Sequence, residues 1–444
     1  MSKYITILAL LLFSITGTSP AAAQAWTLEQ CILYAREHNI SAQQQGITKE
    51  QYENLLFQSK MNFIPSLNIS ASQYISWGSY IVTDNSTGQQ YVVNEQSQRF
   101  SPSIYSSINL FEGLKKISTL RQRQSDLKAA EQDLESLHNT IAMNVALGYL
   151  QVLLSKEMLT VAENSCLNIE GQLNRVKQLV AAGSRPMSEQ LDMEAQLAAE
   201  EMQKIVAKNQ LTANYLTLRQ YLNLPTQADF EIVAPVINID EQGLRNDEVN
   251  SIYGMAQNLP QIKGAGFRMQ SAKYNWDIAR GSYWPTLSFS ASFGSYYNYK
   301  DHHNSFWDQM LNQKNSSISI GLSIPIFNHW SIRTNAKNAR LNYHIAQLEV
   351  EKQQQILYKE IQTAANEASA AYNKYKTAGR NVTAQQESFR YVEQKFETGL
   401  LTATDYNVAK NNLLKAQSDE AQAKYQYVFQ LKVLDLYKGE QIKL

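Results

Sequence analysis

Glu189 and Asp405 are the residues of this sequence whose type and placement most invite a chemical role. Each follows a short helix-breaking segment, Ala182-Gly183-Ser184-Arg185-Pro186 in one case and Thr398-Gly399-Leu400-Leu401-Thr402 in the other, and each opens a new helical pattern. A carboxylate in the first helical turn complements the positive end of the helix dipole. Thr402, with Asp405 three residues on, has the spacing of a capping box. Other reactive residue types do not come together. Cys31 and Cys166 form no C-x-x-C pair, the six histidines show no metal-ligand spacing, and His302-His303 falls in a polar loop segment. No G-x-S-x-G turn presents a nucleophilic serine, and no phosphate loop is present. The chain is therefore expected to be no enzyme and to need no cofactor or metal.

Long elements must position these residues, because 9 prolines and 18 glycines in 444 residues leave little punctuation. Forty basic residues balance forty acidic ones, which argues against nucleic acid as a partner. Met1 to Lys3 form a basic start, Tyr4 to Ile15 an apolar run, and Ala21-Ala22-Ala23 a small-residue cleavage site. Residues 1–23 thus read as a signal peptide, and the mature chain is expected to cross the inner membrane. The run is too short to span a bilayer, and no later segment is expected to form a membrane-spanning helix. Cys31 lies too far past the cleavage point to accept a lipid, so N-terminal lipidation is not expected.

The chain contains a long internal repeat. Ile64-Pro65-Ser66-Leu67-Asn68-Ile69-Ser70-Ala71-Ser72 matches Trp284-Pro285-Thr286-Leu287-Ser288-Phe289-Ser290-Ala291-Ser292 at an offset of 220, and Ser107 to Phe111 matches Ser323 to Phe327 at 216. Ala182-Gly183 matches Thr398-Gly399 at the same 216. Each half reads as helix, two strands, very long helix, break, helix. The first repeat covers residues 24–224, with strands near 64–82 and 97–112; an inter-repeat segment covers 225–248. The second repeat covers 249–438, with strands near 284–300 and 315–328, and residues 439–444 form a tail.

Helical patterning predicts Thr27 to Phe63, Gly113 to Ala181, Pro186 to Leu222, Val249 to Tyr283, Trp330 to Glu397 and Thr402 to Tyr437. Leu120, Leu127, Leu134 and Ile141 recur every seven residues, as in a coiled-coil seam, and Leu341, Ile345 and Leu348 share one stripe. A helix of about 68 residues is roughly 100 Å long, far beyond a compact globule of this mass. The half-length helices are expected to stack end to end and cover it.

The strands alternate. Leu287, Phe289, Ala291 and Phe293 oppose Ser288, Ser290 and Ser292, and Ile318 to Ile326 does the same against Ser317, Ser319, Gly321 and Ser323. A sandwich core would give this pattern too. Aromatics decide the context: Tyr74, Trp77, Tyr80 and Tyr91 flank the first hairpin loop, and Tyr296, Tyr297, Tyr299, Phe306 and Trp307 flank the second, as an interfacial belt. Four strands cannot close a barrel, and open edges are not tolerated in hydrocarbon, so closure requires further subunits.

In this duplicated order of elements, with paired glycine-containing breaks, the mature chain resembles the TolC-type outer-membrane efflux proteins. The resemblance implies an all-α-dominated chain carrying a membrane β-barrel. Three copies would form a homotrimer with a twelve-stranded β-barrel in outer-membrane lipid and a twelve-helix α-barrel in the periplasm. It implies an exit duct for a tripartite efflux or type I secretion system, fed by a periplasmic adaptor (membrane fusion) protein and an inner-membrane pump. Gly183, Ser184, Arg185, Gly399, Leu400 and Leu401 would form the adaptor-contact tips. Asp405 and Glu189 would ring the periplasmic entrance constriction, although solvated helix-start acids explain both equally well. Val408 stands one turn on where a second acid is common, and Leu401 where some members carry an arginine, so a closing ion pair there is not implied. A trimeric coiled-coil surface adhesin or structural stalk is the alternative, but such proteins keep their membrane strands at one end of the chain.

Overall fold

The computed structural model describes residues 25–84, 86–225, 230–237, 239, 248–299 and 304–444. The signal-peptide reading, His302-His303 and part of the 225–248 segment lie outside the described residues. Among the described residues fourteen elements follow one another: α1 Leu28–His38, α2 Ile40–Met61, β1 Ser66–Thr83, β2 Gln90–Phe111, α3 Lys115–Ala181, α4 Met187–Leu222, α5 Glu248–Ala256, α6 Pro260–Gly281, β3 Thr286–Ser295, β4 Tyr297–Asn298, α7 Phe306–Asn312, β5 Lys314–Ser323, α8 Ser331–Glu397 and α9 Ala403–Lys438.

The repeat is visible in the backbone itself. α3 and α8 have 67 residues each, α4 and α9 have 36 each, and all four pairs of boundaries lie 216 residues apart. Residues with positive φ repeat at the same spacing: Gly113 with His329, Leu114 with Trp330, Gly183 with Gly399 and Asn223 with Gly439. At three of these four positions the residue types differ, so the conformation is more faithfully duplicated than the side chains.

The chain divides into two compact units within α2, α3, α6 and α8. Unit 1 comprises residues 1–46, 133–261 and 354–444. Its main core joins Leu28, Cys31 and Ala35 of α1 with Val145, Tyr149, Val152 and Leu153 of α3, Leu218 and Leu222 of α4, and Phe230, Ile232 and Ile442. The inter-repeat segment pairs with the start of the chain: Trp26 bridges Ile232 in parallel, and the Tyr149 hydroxyl donates to the Val233 carbonyl at 2.6 Å. The Leu444 backbone N–H donates to Glu29 at 3.2 Å. Burial pushes the Cys31 thiol up to about 12, which leaves it protonated and unreactive.

This core corrects one expectation. α3 does carry a stretch apolar and long enough to cross a membrane. Its apolarity has a local cause, because Ile141, Val145, Tyr149 and Leu150 are buried inside unit 1. The seven-residue seam is buried in part. Leu120, Leu127 and Leu134 are only half-buried in the single chain, while Ile141 of the same seam is buried, as are Ser125, Ala129 and Ala130 beside it.

Unit 2 comprises residues 47–132 and 262–353 and holds an antiparallel sheet of order β1-β2-β3-β5, with β4 paired to β2. β1 and β2 pair over eighteen positions, from Ser66↔Ser107 to Thr83↔Gln90. β3 and β5 pair over ten, from Thr286↔Ser323 to Ser295↔Lys314. Serines on one face bond across strands, as Ser70 with Ser103 at 2.9 Å and Ser292 with Ser317 at 2.8 Å. On the other face Leu67, Ile69, Ile318, Ile320 and Leu322 are exposed. β1 and β5 each keep one unpaired edge within the chain.

Four boundaries differ from expectation for local reasons. The helix expected from Thr27 to Phe63 is broken at Asn39, whose extended backbone (ψ 127°) ends α1. The one expected from Val249 to Tyr283 is interrupted after Ala256 and resumes at Pro260, a residue suited to a first helical turn. β5 stops at Ser323, two residues before Pro325, which has no N–H for the ladder. Between β4 and β5 the aromatic loop forms a helix, α7, capped reciprocally by Ser305 and Asp308.

Candidate functional site

The two helix breaks are built alike. At Gly183 (φ 73°) the N–H bonds the Val180 carbonyl at 2.9 Å, and the Ser184 N–H bonds Leu179 at 2.8 Å. At Gly399 (φ 79°) the N–H bonds Phe396 at 3.1 Å, and the Leu400 N–H bonds Lys395 at 2.9 Å. Both are Schellman endings, whose left-handed residue glycine adopts without Cβ strain. Pro186 precedes α4, while Thr402 caps α9.

Arg185 joins the two breaks. Its guanidinium donates to the Glu189 carboxylate, donates to the Phe396 carbonyl at 2.6 Å, and lies 4.7 Å above the Phe396 ring. Only 8% of its side chain is exposed. Beneath it, Ile169, Leu173, Val176, Met193, Phe396, Ala403 and Tyr406 form a second core that packs the ends of α3 and α8 against the starts of α4 and α9. Arg175 adds an ion pair to Glu397.

The sequence-selected residues thus divide by environment. Gly183, Ser184 and Gly399 are exposed, and Leu400 stands out at 74% exposure, whereas Leu401 is half-buried and Arg185 is turned inward. Asp405 is exposed and accepts from the Thr402 hydroxyl at 2.7 Å and backbone N–H at 3.2 Å. Those bonds hold its carboxyl below the usual carboxylate range, so it is charged at neutral pH. Glu189 spends its carboxylate on Arg185. Among the described residues no cluster of His, Cys, Asp or Glu could hold a metal ion.

Sequence reading missed a buried ion pair farther along these helices. Glu200 of α4 and Lys410 of α9, 4% and 3% exposed, meet at 3.4 Å. Ser165 of α3 donates its hydroxyl to Glu200 at 2.6 Å and accepts from the Lys410 ammonium at its carbonyl at 3.1 Å. Gln196 completes the carboxylate's shell at 2.9 Å. Burial pulls the Lys410 ammonium below the ordinary lysine value, opposed by Glu200. A cavity of about 860 Å³ opens beside the pair, lined in part by Gln196, Gln203, Gln210, Asn214 and Ser418. The available signal was positional: Glu200 falls seven residues after buried Met193, and Lys410 continues the buried Ala403, Tyr406 stripe.

Residues 33–224 and 252–440 match the family described as outer membrane efflux protein. The chain is 21% identical over 444 residues to outer membrane protein TolC of Vibrio cholerae, covering 97% of this chain and 94% of that one. It is 23% identical over 306 residues to toxin and drug export protein A of Aggregatibacter actinomycetemcomitans, covering 68% and 64%. Among solved structures, CusC superposes with a TM-score of 0.79 at 15% identity, covering 94% of this chain and 93% of the other. The Campylobacter jejuni CmeC outer membrane channel gives 0.78 at 18%, covering 94% and 86%.

Proposed function

The chain belongs to the outer membrane efflux protein family, and from that premise we propose that it forms the outer-membrane exit duct of a tripartite efflux or type I secretion system. One observation carries this reading above the rest. Each chain offers a four-strand span with an exposed aliphatic face and two unpaired edges, continuous in sequence with two 67-residue helices. Hydrocarbon does not tolerate open edges, so the span closes with copies of itself, and three copies give twelve strands and room for an aqueous lumen. The exposed Leu341, Ile345 and Leu348 stripe on α8 supports the same association. A stalk or adhesin has no use for two hairpins placed in two repeats.

Conduction is passive in this reading. An inner-membrane pump supplies the energy, and a periplasmic adaptor meets the breaks at Gly183, Ser184, Gly399 and Leu400. Arg185 and Leu401 act from behind, by holding the tips in shape. In the trimer three Asp405 carboxylates, with Glu189 behind its arginine, ring the entrance and favour cations. Purified protein in planar bilayers should therefore give small, cation-selective conductance, and Asp405→Ala should reduce the cation preference. Unaltered selectivity would remove Asp405 from the entrance. Leu400→Asp keeps the backbone bonds of the break but places a charge on its apolar tip. Cross-linking to the adaptor should fall severalfold, and wild-type yields would mean that the adaptor docks elsewhere.

A further inference from the structure

α7 sits where the duct itself has no need of a helix. Its Phe306 ring lies 5.0 Å from Tyr297 and 6.2 Å from Phe100. Phe100 and Tyr297 are register partners, and Phe100 alternates along β2 with Pro102 and Ile104. Ile104 is aligned with Ile69 and Phe293, on the face that also carries Ile318 and Ile320. α7 is therefore docked on the aliphatic side of the sheet, away from the serine side.

Register also sets its height. The ten paired positions of β3 and β5 match one bilayer crossing by a tilted strand. The Thr286 and Ser323 ends lead back to helices, so the Ser295 and Lys314 end is the outer one. Tyr297 lies two residues past it, roughly 7 Å at about 3.3 Å per residue. That is the level of the headgroups.

The helix is held firmly there. Gln309, 1% exposed, accepts from the Asn298 N–H at 2.8 Å and donates to the Asn298 and Asn304 carbonyls, both at 3.2 Å. The Ser295 hydroxyl donates to the Met310 and Gln313 carbonyls at 2.8 and 3.1 Å. Trp307 and Leu311, one turn apart, remain 71% and 60% exposed. An indole and an aliphatic side chain displayed rigidly at headgroup height, on the lipid side, have the chemistry of an interfacial anchor.

We infer that α7 anchors the barrel in the outer leaflet by setting Trp307 and Leu311 into the boundary between lipid headgroups and acyl chains. The continuity of this face with the aliphatic band of the sheet selects lipid as the occupant. The competing occupant is a second copy of the chain, because β5 is an edge strand and a neighbour's Ile75 and Trp77 could cover the same residues.

The inference rests on the sheet being a membrane wall, and the test separates the two. Leu311→Cys and, independently, Trp307→Cys would carry a nitroxide in the full trimer, in vesicles of phosphatidylethanolamine and phosphatidylglycerol; the native Cys31 and Cys166 are buried. Ile320→Cys serves as the reference inside the span. Power saturation should show oxygen collisions exceeding those of a water-soluble nickel chelate at 311 and 307, at a shallower depth than at 320. Chelate in excess at 311 and 307 with oxygen in excess at 320 would overturn the anchor alone. Low access to both reagents at 311 and 307 would overturn it in favour of the neighbouring copy. Chelate in excess at 320 would overturn the membrane wall and the anchor with it.

Discussion

Lys410→Met should lower the stability of the helical region by about 3–5 kcal/mol, the cost of leaving a buried charge without its partner. Glu200 would keep its Ser165 and Gln196 hydrogen bonds but lose the one cation that meets it at 3.4 Å. Glu200→Gln should be milder, since an amide still accepts from Ser165, yet it strands the Lys410 ammonium among α3, α4 and α9. The double variant Lys410→Met with Glu200→Leu should regain part of the loss, leaving Ser165 and Gln196 short of partners, at about 1–3 kcal/mol each. Denaturant midpoints of the detergent-solubilised trimer for wild type, Lys410→Met, Glu200→Leu and the double variant, followed by helical circular dichroism, give the four values of this cycle. Wild-type behaviour of Lys410→Met would mean that the pair holds nothing, and a double variant whose loss equals the sum of the two single losses would mean that the two do not act on each other.

The second large effect is expected at Arg185. Arg185→Ala removes the contact between the two breaks while leaving both Schellman endings intact. Charge-assisted hydrogen bonds contribute about 1.5–3 kcal/mol each, and a bias of about 1.4 kcal/mol changes a two-state ratio tenfold. Resting conductance in planar bilayers should therefore rise by about tenfold as the tips move independently. Arg185→Lys should recover little of this, because an ammonium cannot serve the Glu189 carboxylate, the Phe396 carbonyl and the Phe396 ring together. Unchanged conductance in Arg185→Ala would show that the second core around Tyr406 holds the tips without it. That core is a credible competitor, since Tyr406 is wholly buried between Phe389 and Phe396.

How much of this was legible in the chain differs from residue to residue. Gly183, Gly399 and the Thr402 and Asp405 pair are local signals, and the breaks they specify lie where their spacing placed them. Asn39 and Pro260 are local signals too, and the helices break at each although helical patterning continues on both sides. Arg185 illustrates the opposite limit. Its position at a break invites a surface role, yet the Phe396 ring and carbonyl, 211 residues away in sequence, draw it inward. The seven-residue seam of α3 indicated a coiled coil, but within one chain only Ile141 of it is buried, while Leu120, Leu127 and Leu134 are half-buried.

The amino-acid sequence by itself determined the duplication, the lengths of the four helices that flank the two breaks, the alternation of the strands and the need for other subunits, because periodicity and punctuation act over a few residues and recur in both halves. Only the tertiary structure decided that Lys410 meets Glu200 and Ser165, that Arg185 ties one break to the other, and that α7 lies on the aliphatic side of the sheet. Those outcomes depend on which side chains meet after segments one or two hundred residues apart are brought together. The left-handed backbone at Gly113 and again at His329 makes the same point: one conformation recurs at two different residue types.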